Sequence, residues 1–203
     1  MTKWILMLAL CACQAAPRSN MQSPQVAELT ARRAQMIEWL TDYYQRGVYP
    51  TDEEGRPISV FKDARGVRCP MAELIYRSGH GDLVDAVAAK NNKLRLADVK
   101  DGALYDWMAT SGLTIEEIAM VQGAMELDYS MFQQVETNQI IMARGQVRGR
   151  VEMAVTALNK DTNQSLQIAS TRLAKRPVAM PDRILPRGDR PRMHASVDGE
   201  KSR

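Results

Sequence analysis

The 203-residue sequence predicts a mainly α-helical fold: a small helical domain with one short β-ribbon, then a helical extension and a disordered tail. Three observations carry this. Apolar residues recur at three- and four-residue steps in several segments, which is the period of one helix face. Aromatic residues are only 5% while methionines number 13, a composition suited to packed helices rather than to a β-sandwich. Helix start and stop residues also bracket the periodic segments in the right order.

Ser23-Pro24 opens the first helix, with serine as N-cap and proline at the first helical position. Val26, Leu29, Arg33, Met36, Ile37, Leu40, Tyr43 and Tyr44 form its stripe, apolar apart from Arg33, and Gly47 ends it. Val48 to Pro57 is irregular. Its acidic run Asp52-Glu53-Glu54-Gly55 lacks calcium-loop spacing and reads as a solvated turn. Ile58–Phe61 and Val67–Arg68 read as the strands of a ribbon near 58–68, turned by Asp63-Ala64-Arg65-Gly66. Such a ribbon is marginal alone and must pack on the helices.

Pro70 to Ser78 is the next helix, burying Met71, Leu74 and Ile75 and stopped by Gly79. Asp82 is placed to cap the helix after it, in which Leu83, Val84, Val87 and Ala88 face inward. Asn91-Asn92 reads as a left-handed stop. Asp101 to Ser111 carries Leu104, Trp107 and Met108 and ends at Gly112. Thr114-Ile115-Glu116-Glu117 is a capping box opening a longer helix through Ile118, Val121 and Met125 toward Phe132. In Val135 to Leu158, Gly145 and Gly149 predict a bent or interrupted helix. Thr162 to Lys175 is one further helix. The organisation expected is therefore an α-rich domain over 23–123, a helical extension over 124–175 and a Pro/Arg-rich tail over 176–203.

The first residues carry a separate message. Met1-Thr2-Lys3 is positively charged and Trp4 to Ala12 is apolar. That run is shorter than the roughly 20 residues of a stable membrane span and has the length of a signal-peptide core. Leu10-Cys11-Ala12-Cys13 resembles the lipobox of bacterial lipoproteins, with Cys11 a slight departure where small residues are usual. The resemblance implies that 1–12 is a signal peptide, that Cys13 becomes the acylated N-terminus, and that 13–22 is a lipidated tether. The partner implied is membrane lipid through Cys13. Gln14 in place of aspartate points to the outer membrane, facing the periplasm. Ordinary signal-peptidase cleavage near Ala15-Ala16, giving a secreted protein, is the alternative.

This leader settles the cysteine arithmetic. Cleavage removes Cys11, lipidation consumes Cys13, and Cys69 is left alone in an oxidising compartment. No intramolecular disulfide, no metal site and no cofactor is expected, because no Cys-x-x-Cys pair remains and His80 and His194 lie far apart. A net charge of only +3 does not point to nucleic acid. Gly112 to Ala119 resembles the first helix of a helix-turn-helix, but acidic Glu126 and Asp128 follow where phosphate would have to sit. Arg144, Arg148, Arg150, Arg172 and Arg176 offer contacts to anionic lipid head groups or to an envelope protein, although most such charges are simply solvated.

Cys69 is the candidate for chemistry. Pro70 places it at a helix N-cap, where exposed amides favour a thiolate, and Arg65 and Arg68 push the same way. His80 and Asp82 would complete a set of nucleophile, base and orienter. A nine-residue helix rises about 13 Å, however, and holds Cys69 and His80 at opposite ends. A buried or capping structural cysteine is the favoured reading, ahead of a redox thiol and of a nucleophile.

Phe61-x-Asp63-x-x-Gly66-x-x-Cys69-x-x-Ala72-x-Leu74-Ile75, then Ser78-Gly79-His80, Asn92, Trp107, Gly112-x-Thr114-x-Glu116-Glu117 and Gln122, resembles a family of uncharacterised exported bacterial proteins over about residues 25–123. The resemblance implies a domain and brings no catalytic residues. The function expected is a membrane-anchored envelope lipoprotein with a binding or structural role. The rival is a small thiol-dependent envelope enzyme acting through Cys69.

Overall fold

The structure is a computed structural model that describes residues 23–127 and 137–176. The expected signal peptide and tether with Cys13, together with Phe132 and the tail from residue 177, lie outside the described residues. The described chain is mainly helical, with seven α-helices: α1 (Pro24–Arg46), α2 (Pro70–Arg77), α3 (Gly81–Asn91), α4 (Gly102–Thr110), α5 (Ile115–Gly123), α6 (Thr137–Lys160) and α7 (Thr162–Ala174). A 3-10 turn, Leu96–Asp98, precedes α4.

Helix α1 is the central strut, packed on α2, α6 and α7. Its caps are those the sequence announces: the Val26 N–H donates to Ser23 Oγ at 3.4 Å, and Gly47 turns the chain with φ 62°. Leu29, Arg33, Met36, Leu40 and Tyr43 line its buried face.

Helix α6 runs unbroken through Gly145 and Gly149, against the expected interruption. Each glycine costs about 1 kcal/mol of helix propensity. Both stand off the buried stripe of Ala143, Val147, Val151, Ala154 and Leu158. Burying one valine or leucine contributes about 1.5–3 kcal/mol, so the stripe outweighs the two glycines. Val147, Val151, Ala154 and Leu158 belong to the same core cluster as Leu40, Leu74 and Met108, so the helix of the expected extension shares the core of the 23–123 segment.

Three local expectations differ from the structure. Helix α5 stops at Gly123, where the Met125 and Glu126 N–H groups donate three residues back, to Gln122 and Gly123. Met125, just past this tight turn, is buried in the core at 1% exposure. Asp82 is not the cap: α3 starts at Gly81, two residues earlier than that reading places it, His80 occupies the N-cap, and no side chain bonds there. Asn92 is right-handed, with φ −63° and ψ −10°, because its side chain is used elsewhere.

That use explains the ribbon. The expected strands near 58–68 shrink to two isolated antiparallel bridges, Thr51 with Pro57 and Lys62 with Arg68. Asn92 takes the place of a partner strand. Its carbonyl accepts the Phe61 N–H at 2.8 Å, its Oδ1 accepts the Lys62 N–H at 3.0 Å, and its Nδ2 donates to the Lys62 carbonyl at 2.8 Å. Asp63 ties the two turns together by accepting the N–H groups of Thr51, Arg65 and Val67.

The exception in the α1 stripe lies at the centre of the packing. Arg33 is 1% exposed and meets Glu117 through two bonds of 2.8 and 2.6 Å. It also donates to the carbonyls of Gly112 and Leu158, at 3.2 and 2.6 Å. Glu117 in turn accepts the Thr114 N–H at 2.8 Å and the Ser165 hydroxyl at 2.7 Å. Gly112 makes the approach available. Its φ is +78°, and a Cβ there would lie 2.4 Å from the Leu29 carbonyl oxygen.

Burial alone would push the Glu117 carboxyl up, but the bonds from Arg33, Thr114 and Ser165 outweigh it and hold the group below its ordinary value of 4.5. A depressed folded value means stability that is present above the unfolded value and lost as pH falls through the folded one. The urea midpoint should therefore drop between about pH 6 and about pH 3, and Glu117→Gln should flatten that drop. Arg33→Met strands a buried carboxylate and should cost about 3–5 kcal/mol in urea titrations at neutral pH.

Candidate functional site

Cys69 takes the N-cap of α2, as Pro70 demands, with φ −66° and ψ 166°. Its Sγ accepts the Ala72 N–H at 3.4 Å. The residue is 3% exposed. Burial raises its thiol pKa to about 11, more than the N–H groups of Ala72, Met71 and Cys69 itself can offset. At a helix start, exposed amides lower a thiol pKa; here the apolar surroundings win.

The arginines expected to help are committed elsewhere. Arg65 holds Asp63 at 2.9 Å, while Arg68 bonds Glu73 at 2.8 Å and stacks 3.7 Å above the Tyr76 ring. His80 and Asp82 lie beyond the far end of α2, and both are exposed. The His80 Nδ1 is 3.3 Å from the Ser78 hydroxyl. That hydroxyl also accepts the Trp107 indole N–H at 2.7 Å, so it serves packing between α2 and α4. The structure does not bring Cys69, His80 and Asp82 together. Among the described residues no group of three His, Cys, Asp or Glu side chains could hold a metal ion.

What Cys69 does line is a cleft of about 550 Å³. One wall is the extended run Pro57–Phe61. The other is the loop 92–95 with the end of α5, from Gln122 to Leu127. The cleft is positioned by two amide side chains. Asn92 fixes Phe61 and Lys62, as above. Gln122 clamps the opposite wall: its Oε1 accepts the Leu96 N–H at 2.8 Å, and its Nε2 donates to the Leu94 carbonyl at 2.7 Å. Phe61, Leu94 and Met125 are buried residues of the lining, and Ser59, Lys93, Arg95 and Glu126 are exposed ones. The volume falls in the range of small-molecule pockets, about 300–1,000 Å³.

Comparison with protein-family models, with curated proteins and with solved structures finds no match. The reading of the site therefore rests on its geometry.

Sequence reasoning missed this cleft. Gln122 stood out only as part of the resemblance over 25–123, and Asn92 there and as a helix stop. The usable signal was a pair of amides, one at a helix end and one on a helix face, each within two or three residues of core positions, where irregular backbone needs partners.

With its pKa near 11, Cys69 should be almost wholly protonated at neutral pH. Iodoacetamide should leave it unmodified in the folded chain and label it fully in urea, as mass spectrometry would report. Native labelling faster than that of a free cysteine would contradict this environment.

Proposed function

We propose that this chain is a membrane-anchored envelope lipoprotein that binds its ligand in the cleft above Cys69. The observation that carries the binding role is the cleft itself: ligand-sized, braced on both walls by half-buried amides, and floored by a thiol whose surroundings oppose ionisation. The same floor argues against the thiol-enzyme alternative, which needs a thiolate and a nearby base.

The anchor rests on Leu10-Cys11-Ala12-Cys13. Acyl chains on Cys13, each buried CH₂ contributing about 0.8 kcal/mol, would hold the chain at the outer membrane facing the periplasm. No described helix is long and apolar enough to cross a membrane. The ten residues 13–22 would link the acylated cysteine to Ser23, where α1 begins. An envelope protein or anionic lipid head groups are the further partners in this reading.

Labelled palmitate should enter the wild-type chain and be absent from Cys13→Ala; equal incorporation would remove the anchor. For the cleft, a photo-crosslinking residue at Ser59 should give an adduct in cells. That adduct should vanish when Val60→Trp fills the cleft in a variant with unchanged helical circular dichroism. An adduct indifferent to Val60→Trp would move the binding site elsewhere.

A further inference from the structure

Resting on the cleft as the binding site, we infer that its ligand is an amphiphile: one apolar chain carrying a single anionic head, such as a medium- or long-chain carboxylate.

The hydrogen-bond accounting disfavours the commonest alternative, an extended peptide added as a strand. Strand addition needs free main-chain donors along a wall. On the first wall the Ile58 N–H donates to Pro50, Val60 to Ile58, Phe61 to Asn92 and Lys62 to the Asn92 side chain, while Pro57 has no N–H. On the second, Lys93 donates to the Asn91 side chain, Leu94 to the Asn91 carbonyl and Leu96 to Gln122. The side-chain amides of Asn92 and Gln122 are spent on the same walls. A peptide entering here would find most of these wall N–H groups already used, and each polar group it buried unbonded would cost about 1–3 kcal/mol. A chain of methylenes has no such demand.

The lining suits that chain. Half-buried Ile58, Val60 and Leu127 present hydrocarbon surface, backed by the buried Phe61, Leu94 and Met125, and the neutral Cys69 thiol behaves as a small apolar group. The charge lies on the rim. Arg95 and Glu126 pair with each other at 3.1 Å and cancel. Lys93 is exposed and forms no ion pair among the described residues. The lining therefore carries one uncompensated positive charge, at the edge of an apolar trough. An anionic head meets Lys93 while its chain lies against Ile58, Val60 and Leu127.

The test uses the full chain from residue 13 onward as Cys13→Ser, so that no acyl group of its own can compete. Calorimetric titration compares decanoate, decanol and decyltrimethylammonium. Decanoate should bind tightest. Lys93→Glu turns attraction into repulsion and should weaken decanoate about tenfold while leaving decanol unchanged. Val60→Trp should abolish both. A lysophosphatidylglycerol arm, below its micellar concentration, separates sources: tighter binding than decanoate assigns the site to membrane-derived lysolipid, and weaker binding to free carboxylate.

Equal affinity for all three ten-carbon probes, still lost in Val60→Trp, would overturn the anionic head and leave the cleft reading standing. Absence of binding by every probe, with the Ser59 adduct still sensitive to Val60→Trp, would overturn the amphiphile alone. A Ser59 adduct indifferent to Val60→Trp would overturn both.

Discussion

The fold depends on one buried ion pair. Arg33 and Glu117 are separated by 84 residues and meet at bonds of 2.6 and 2.8 Å. Through them α1 is tied to α5, to the Gly112 carbonyl before α5, to the end of α6 at Leu158 and to Ser165 on α7. An isolated charge in this position would be prohibitive, so each partner makes the other tolerable. The pair also sets geometry that hydrocarbon contacts leave loose, because two parallel bonds fix both the depth and the rotation of α1. Glu117 does this while completing its capping box, so the residue that starts α5 also docks it.

The cleft is held by the same kind of device in neutral form. Asn92 and Gln122 each use a side-chain amide to bond backbone groups of segments that have no regular partner. Extended segments such as 57–62 would otherwise need a sheet to satisfy them. Here one amide replaces a strand, leaving the outer side of Pro57–Phe61 to form a wall. The cleft thus follows from how irregular backbone is satisfied beside a helical core. Cys69 fits this account as a cap whose sulfur meets the Ala72 N–H.

Much of this was legible locally. The caps at Ser23 and Thr114, the proline starts at Pro24 and Pro70, and the glycine stop at Gly47 were all readable because each depends on residues within one turn. The cysteine cap was readable for the same reason. The misreadings were those where distant packing overrode a local rule. Gly145 and Gly149 predict a bend or interruption, yet α6, packed by its stripe against α1, runs uninterrupted through both. Asn92 has the chemistry of a left-handed stop but serves a segment 30 residues away. Asp82 has the chemistry of a cap but lies inside the first turn of α3.

The sequence by itself determined the helical class, most helix boundaries and the capping position of Cys69, since these follow from periodicity, capping chemistry and composition. It also marked Arg33 as an anomaly without naming its partner. Only the tertiary structure decided that Arg33 pairs with Glu117, that α6 shares the core, and that Cys69 is a protonated thiol beneath a cleft rather than a nucleophile beside His80. These outcomes turn on desolvation and on contacts between residues far apart in the chain. The burial that raises the Cys69 pKa to about 11 is a sum over neighbours from several elements, and no window of adjacent residues contains it.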